Sequence, residues 1–198
     1  MPFVTTAKNV MLDALVVDLV SLHSDYPGTD GLSNELSGGS PAYARKAITM
    51  AAAVGGNRDS STQPVFDVPA AASVAFIGFW TNTGTIFRGW MPNGPANNTP
   101  QGAFALNVGD TIESVGHGLV NTDRVVLIPV ADALPAGLSE SILYYVVSAT
   151  ADDFQVSLTS GGAAVAITAD GDLSYQKVVV ETFAQQGTFT LSDADLSL

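Results

Sequence analysis

Beyond its N-terminal end the chain is a succession of short runs rich in β-branched and aromatic residues, each cut off by Gly, Pro, Asn or Asp. Val65-Phe66-Asp67-Val68-Pro69 alternates and is closed by its proline, which cannot donate to a ladder. Tyr144-Tyr145-Val146-Val147 combines high β propensity with no face that a helix could bury. Runs of this kind at roughly 8–12-residue spacing predict an all-β chain, mainly antiparallel, built as a sandwich (jelly-roll-like) or a barrel. Strands are expected over 17–23, 43–52, 65–69, 73–81, 85–91, 111–115, 124–130, 143–149, 154–159, 165–169 and 177–183. Asp152-Asp153 and Ser160-Gly161-Gly162 supply hairpin turns. One short helix is expected over 7–15, capped by Thr5 or Thr6, with Val10, Met11, Ala14 and Leu15 at helical spacing on one face. Its continuation to Leu22 is the alternative to a strand at 17–23. Residues 24–40 are all turn chemistry, including Tyr26-Pro27-Gly28 and Gly38-Gly39-Ser40-Pro41, and suggest a functional or interface loop.

Composition narrows the function. Of 198 residues, 46% are apolar and only 13% charged, against about 25% in an ordinary soluble domain. Seven basic and 19 acidic side chains give a net charge of −12, which argues against nucleic acid and against an anionic membrane surface. The chain has no cysteine and two histidines, so disulfides, thiolate catalysis and multi-His or Cys-based metal centres are excluded. No run approaches the roughly 18–20 apolar residues of a membrane helix, and Asp13 and Asp18 interrupt the N-terminal apolar stretch that a secretory signal would need unbroken.

Two hexapeptides echo each other, Gln101-Gly102-Ala103-Phe104-Ala105-Leu106 and Gln186-Gly187-Thr188-Phe189-Thr190-Leu191. They fall where the style of the chain changes. The expected organisation is a discontinuous β domain, residues 1–105 plus 178–198, with a smaller β domain, residues 106–177, inserted into it. Charge divides the same way. Residues 1–105 hold seven acids and five bases, whereas 106–198 hold twelve acids and two bases. The nearly neutral part suits packing against other subunits, and the acidic part suits display to solvent.

The candidate chemistry is sparse. His23 lies near Ser21, Ser24 and Asp25, but no nucleophile elbow is present, so a structural histidine is expected. His117 sits between Gly116 and Gly118, where its ring can bond turn backbone. Asp152-Asp153 and Asp170-Gly171-Asp172 fall short of the oxygens a calcium loop needs. Gly38-Gly39 with Arg45-Lys46 makes no phosphate cradle. Trp80 and Trp90, flanking a turn at Asn82-Thr83-Gly84, are read as core or subunit packing. No catalytic, cofactor-binding or metal-ligating residue is assigned, no cofactor is implied, and the protein is not expected to be an enzyme.

The ordered strings Ala7-Lys8-Asn9-Val10-Met11-Leu12-Asp13-Ala14-Leu15, Ser21-Leu22-His23, Tyr26-Pro27-Gly28-Thr29, Gly38 to Ala47, Pro64 to Pro69 and Ile77-Gly78-Phe79-Trp80 resemble a family of small bacteriophage virion proteins, described as tail, minor tail or tail-fibre-like. Short members of that family resemble this chain through about Pro92 and then end in a segment similar to residues 181–198. The intervening part, with His117-Gly118-Leu119, Asp123-Arg124-Val125-Val126 and Tyr144 to Phe154, resembles a small β module of phage tail and fibre proteins. The resemblance implies a virion structural protein, made in the host cytoplasm. It is expected to assemble as a homo-oligomer (a closed ring or trimer) through its N-terminal domain. Its partners would be itself, other virion proteins and the host surface, without nucleic acid and without membrane insertion. A capsid decoration protein is the alternative. A carbohydrate-binding or glycan-processing protein, using Trp80, Trp90 and paired carboxylates, is the more distant one.

Overall fold

The computed structural model describes residues 3–81, 83–95 and 98–197. Asn82 of the expected 82–84 turn lies outside them, as do Ala96 and Asn97 of the loop before the first hexapeptide and Leu198 of the C-terminal string. Helix α1 (Thr5–Ala14) leads to β1 (Leu19–His23), β2 (Lys46–Ala47), β3 (Asn57–Asp59), β4 (Val65–Val68), β5 (Ala72–Val74), β6 (Phe76–Trp80) and β7 (Phe87–Pro92). Next come β8 (Gln101–Leu106), β9 (Thr111–Glu113), β10 (Arg124–Pro129), β11 (Leu143–Val147), β12 (Asp153–Ser157) and β13 (Gly171–Val178). The described chain closes with β14 (Glu181–Phe183), β15 (Gly187–Thr190) and β16 (Asp195–Ser197). The strand registers given by the described residues are antiparallel, so the all-β expectation with one short helix holds.

Two compact units result. The first comprises Met1–Met91 and Glu181–Leu198, the second Pro92–Val180. In the first unit a four-stranded sheet runs in the order β2-β1-β6-β7. Three two-stranded ribbons complete it, each pairing an early strand with a late one: β4 with β15, β5 with β14 and β3 with β16. Phe66 thereby faces Phe189, and Ser73 faces Thr182. Val20, Leu22, Phe66, Val68, Ile77, Phe189 and Leu191 form its apolar core.

The second unit is a closed barrel in the order β10-β11-β12-β9-β8-β13. Closure pairs every strand on both sides and leaves no edge to template aggregation. Alternation sends Ala105, Ile112, Val125, Leu127, Phe154, Leu173 and Tyr175 inward, and that one cluster fills the barrel. Of the sandwich and the barrel expected from the strand spacing, this unit takes the barrel.

The expected strand over 17–23 forms, and β1 pairs along its whole length with β6. Other expectations shift. The 43–52 run shortens to β2 plus an isolated bridge from Met50 to Ser60. The 73–81 run breaks at Ala75 into β5 and β6. Residues 165–169 form no strand; the Val165 amide bonds the Val156 carbonyl and Ile167 is buried as irregular chain. The unit boundaries also differ from 105/106 and 177/178. Strand β8 is paired to both β9 and β13, and closing the barrel requires it, so the first hexapeptide belongs to the second unit. The second hexapeptide pairs with β4 in the first unit.

Candidate assembly surface

Helix α1 starts without a side-chain cap. Val4 occupies the N-cap position, and Thr5 and Thr6, expected to cap it, lie inside the first turn. Most of the apolar stripe read from the sequence points away from the unit, while Leu15 at its end packs against the apolar core. Val10 is 64% exposed and Met11 44%, and Phe3 and Val4, just before the helix, are exposed as well. Only Leu12 is buried.

The side of the helix toward the body carries buried Leu12, and the polar residues flanking it fasten the helix there. Asn9 Oδ1 accepts the Gly56 amide at 2.8 Å, and Asp13 Oδ1, one turn on, accepts the Ala53 amide at 2.8 Å. Arg58 of β3 donates from Nη1 to the Leu12 and Leu15 carbonyls at 2.8 and 2.7 Å, satisfying acceptors that the end of a helix leaves open. Asn9 and Asp13 are four residues apart, the spacing that puts both on one face. Periodicity finds such a face but not which side of the helix the body takes. Here the amides of the 53–56 turn need acceptors, and Asn9 and Asp13 supply them.

The residues singled out for chemistry are occupied structurally. His23 and Ser21 are fully buried on β1. Nδ1 of His23 lies 2.8 Å from the Ser33 carbonyl, which can only accept, so that nitrogen carries the proton. Nε2 is then the acceptor for the Ser21 hydroxyl at 2.7 Å, and Trp80 Nε1–H donates to the same Ser21 Oγ at 2.7 Å. The ring is thus a neutral link in a chain from Trp80 to Ser33, and burial lowers its pKa from the ordinary 6.5. Asp25 does not join it; its carboxylate accepts the neighbouring Tyr26 amide at 2.7 Å. Ser24 turns to the Asn34 carbonyl at 3.4 Å.

The 24–40 loop is pinned beside this chain. Glu35 bridges to His23 and takes a two-pronged grip from Arg45, at 2.8 Å to Nε and 2.7 Å to Nη2. The same guanidinium lies 3.5 Å above the Trp80 ring and bonds the Gly84 carbonyl. Trp80 is therefore core, as read. Trp90, half-buried, packs edge-on against Tyr26 and Phe76.

His117 behaves as expected in the second unit. Its Nδ1 accepts the Leu119 amide at 2.9 Å, its Nε2 lies 3.2 Å from the Asp153 carbonyl, and its ring packs on Phe154. Asp152 and Asp170 each accept a backbone amide, from Gly116 and Asn107. Among the described residues no three His, Asp or Glu side chains converge on a possible metal position, and no helix is long and apolar enough to cross a membrane. Comparison with protein-family models, with characterised proteins and with solved structures returns no match.

Proposed function

We propose that the chain is a structural protein of a bacteriophage particle, most consistent with a tail-associated role, that assembles as a homo-oligomer through its first unit. The observation that carries this reading is that helix α1, tied to the body through Asn9 and Asp13, leaves Val10 and Met11 in solvent, with Phe3 and Val4 exposed just before it. Such an apolar group, held in place and uncovered, suits a subunit contact. A second observation fits. The strings that resemble small virion proteins, from both ends of the chain, fall in the first unit, and the module-like remainder falls in the second. The capsid decoration alternative uses the same contact at a different place on the particle. The glycan reading is weakened because Trp80 is 1% exposed and covered by Arg45.

Size-exclusion chromatography with light scattering tests the assembly. The native chain is expected to run as a closed oligomer, and V10E/M11E, which alters only exposed positions, as a folded monomer. A native monomer overturns the reading. Antibody labelling of intact particles then separates tail from head.

A further inference from the structure

The outer face of the barrel carries a groove of about 550 Å³, floored by β8, β9 and β13. One row of cross-strand neighbours defines it. Phe104 faces Asp172 on one side and Glu113 on the other, and Glu113 in turn faces Asp153. Directly opposed residues of an antiparallel pair have Cβ atoms about 4.5–5.5 Å apart, so an exposed ring stands between two exposed carboxylates. Glu113 opposite Asp153 is a like-charge pair, an arrangement that destabilises a bare sheet. No cation of this unit relieves it. Between residues 92 and 180 the only bases are Arg124 and Lys177, against nine acids. Lys177 pairs with Asp123 at 2.7 Å, and Arg124 stacks on Tyr145 and bonds the Leu143 carbonyl.

Gly102 gives the groove its depth. It is the second residue of β8, two before Phe104, and a glycine inside a strand weakens it and marks a bulge, a barrel corner or close approach by a ligand or another backbone. The fold does not demand it. Its φ is not in the left-handed region, and a Cβ built there meets nothing within 4 Å. The omitted side chain leaves the Phe104 ring open along its flank.

We propose that this groove binds a polypeptide segment bearing an arginine or lysine, its cation seated over Phe104 between Glu113 and Asp172. An aromatic face attracts a cation, and two carboxylates add charge and hydrogen-bond acceptors. The segment has to be longer than one cation. The floor crosses neighbouring strands about 4.8 Å apart and ends in the exposed apolar side chains Val115 and Val130, which the residues flanking the cation would cover. The closed barrel offers no strand edge, so recognition uses side chains on the sheet face, not strand addition.

The test is a titration of the full chain with capped tetra-arginine and tetra-lysine peptides, followed by amide NMR shifts. Shifts are expected to concentrate at Gly102, Phe104, Glu113 and Val115. E113Q/D172N should weaken binding by about tenfold or more. D132N/E140Q, which removes the same charge from exposed positions outside the groove, should leave affinity within about twofold. G102V should abolish binding without lowering the melting temperature, since the site has room for it. Equal weakening by the two charge variants would mean diffuse attraction to an acidic chain and would overturn the proposal. So would full binding by G102V, absence of binding to the native chain, or equally tight groove binding by spermidine. A change of oligomeric state in G102V would make the occupant a second copy and would also overturn it.

Discussion

In the first unit the ladders that close the core tie the two ends of the chain together: Phe66 to Phe189, Ser73 to Thr182, Arg58 to Leu196. In the second unit every ladder lies between residues 101 and 178 and closes on itself. The first unit also threads a polar chain, Trp80–Ser21–His23–Ser33, through its interior, whereas the barrel centre is filled by aliphatic and aromatic side chains with only the Tyr144 and Tyr175 hydroxyls reaching polar partners. The two units are therefore vulnerable in different ways. A buried polar chain is worth its full value only when every link is present. A closed barrel depends on volume and packing instead.

Deleting residues 181–198 should separate the two most sharply. It removes β14, β15 and β16, with the buried Phe189, Leu191 and Ala194. The loss is expected to exceed the roughly 5–15 kcal/mol of a whole domain's stability, so the first unit unfolds. Amide NMR should then retain the dispersed resonances of the barrel alone; loss of both sets would break the comparison.

Within an intact chain, Phe66→Ala and Phe154→Ala, both fully buried, should each cost about 3–5 kcal/mol. Denaturant unfolding followed by residue-resolved hydrogen exchange should find the F66A loss in the first unit and the F154A loss in the barrel.

Two glycines give a finer contrast. A Cβ at Gly78 would lie 2.5 Å from Ser21 Oγ and 2.9 Å from His23 Nε2. Gly78→Ala should therefore cost about 1–3 kcal/mol by pushing the polar chain apart. Gly102→Ala should instead gain about 0.5–1 kcal/mol, since its site is open and alanine restricts the unfolded chain more. Paired melting curves check both signs.

The smallest effects are in the pH response of the first unit, where two groups act oppositely. The His23 pKa is lowered, so the unfolded state binds the proton more readily. Its contribution is present above the ordinary 6.5 and is lost as pH falls below it. Asp195 is raised from 3.8 to about 6 by burial and then by its hydrogen bond to Asp59, with which it pairs across β3 and β16. That contribution is full below 3.8 and is lost as pH rises through about 6. Asp195→Asn should give a small stability gain at neutral pH and none at pH 4; thermal melts of both chains across that range measure it.

Much of the fold was legible locally. The 65–69 and 124–130 runs announced strands through alternation and β-branched content, and β4 and β10 lie there. His23 read as structural because no nucleophile elbow accompanies it, and Trp80 as core or subunit packing because that is the commoner use of the ring; both are buried. What escaped were elements without an apolar signature. β3 is Asn57–Asp59 and β16 is Asp195–Ser197, polar ribbons that exist because each is the other's partner. Nothing in either segment alone favours a strand. The outer groove was equally hidden: Phe104, Glu113 and Asp172 come from three separate runs, and only the register of β9, β8 and β13 sets them side by side.

Residue type and spacing alone account for the short β-rich runs, the N-terminal helix, the absence of thiol and multi-histidine chemistry, and the concentration of acid in the later part of the chain. These properties survive any arrangement of the strands. Tertiary structure decided that the second half closes into a barrel, that the Gln101–Leu106 strand belongs to it, and that α1 leaves Val10 and Met11 in solvent. Each of these depends on which distant backbone groups find each other. A period of two or of 3.6 marks a face, and only the partner decides which way that face looks.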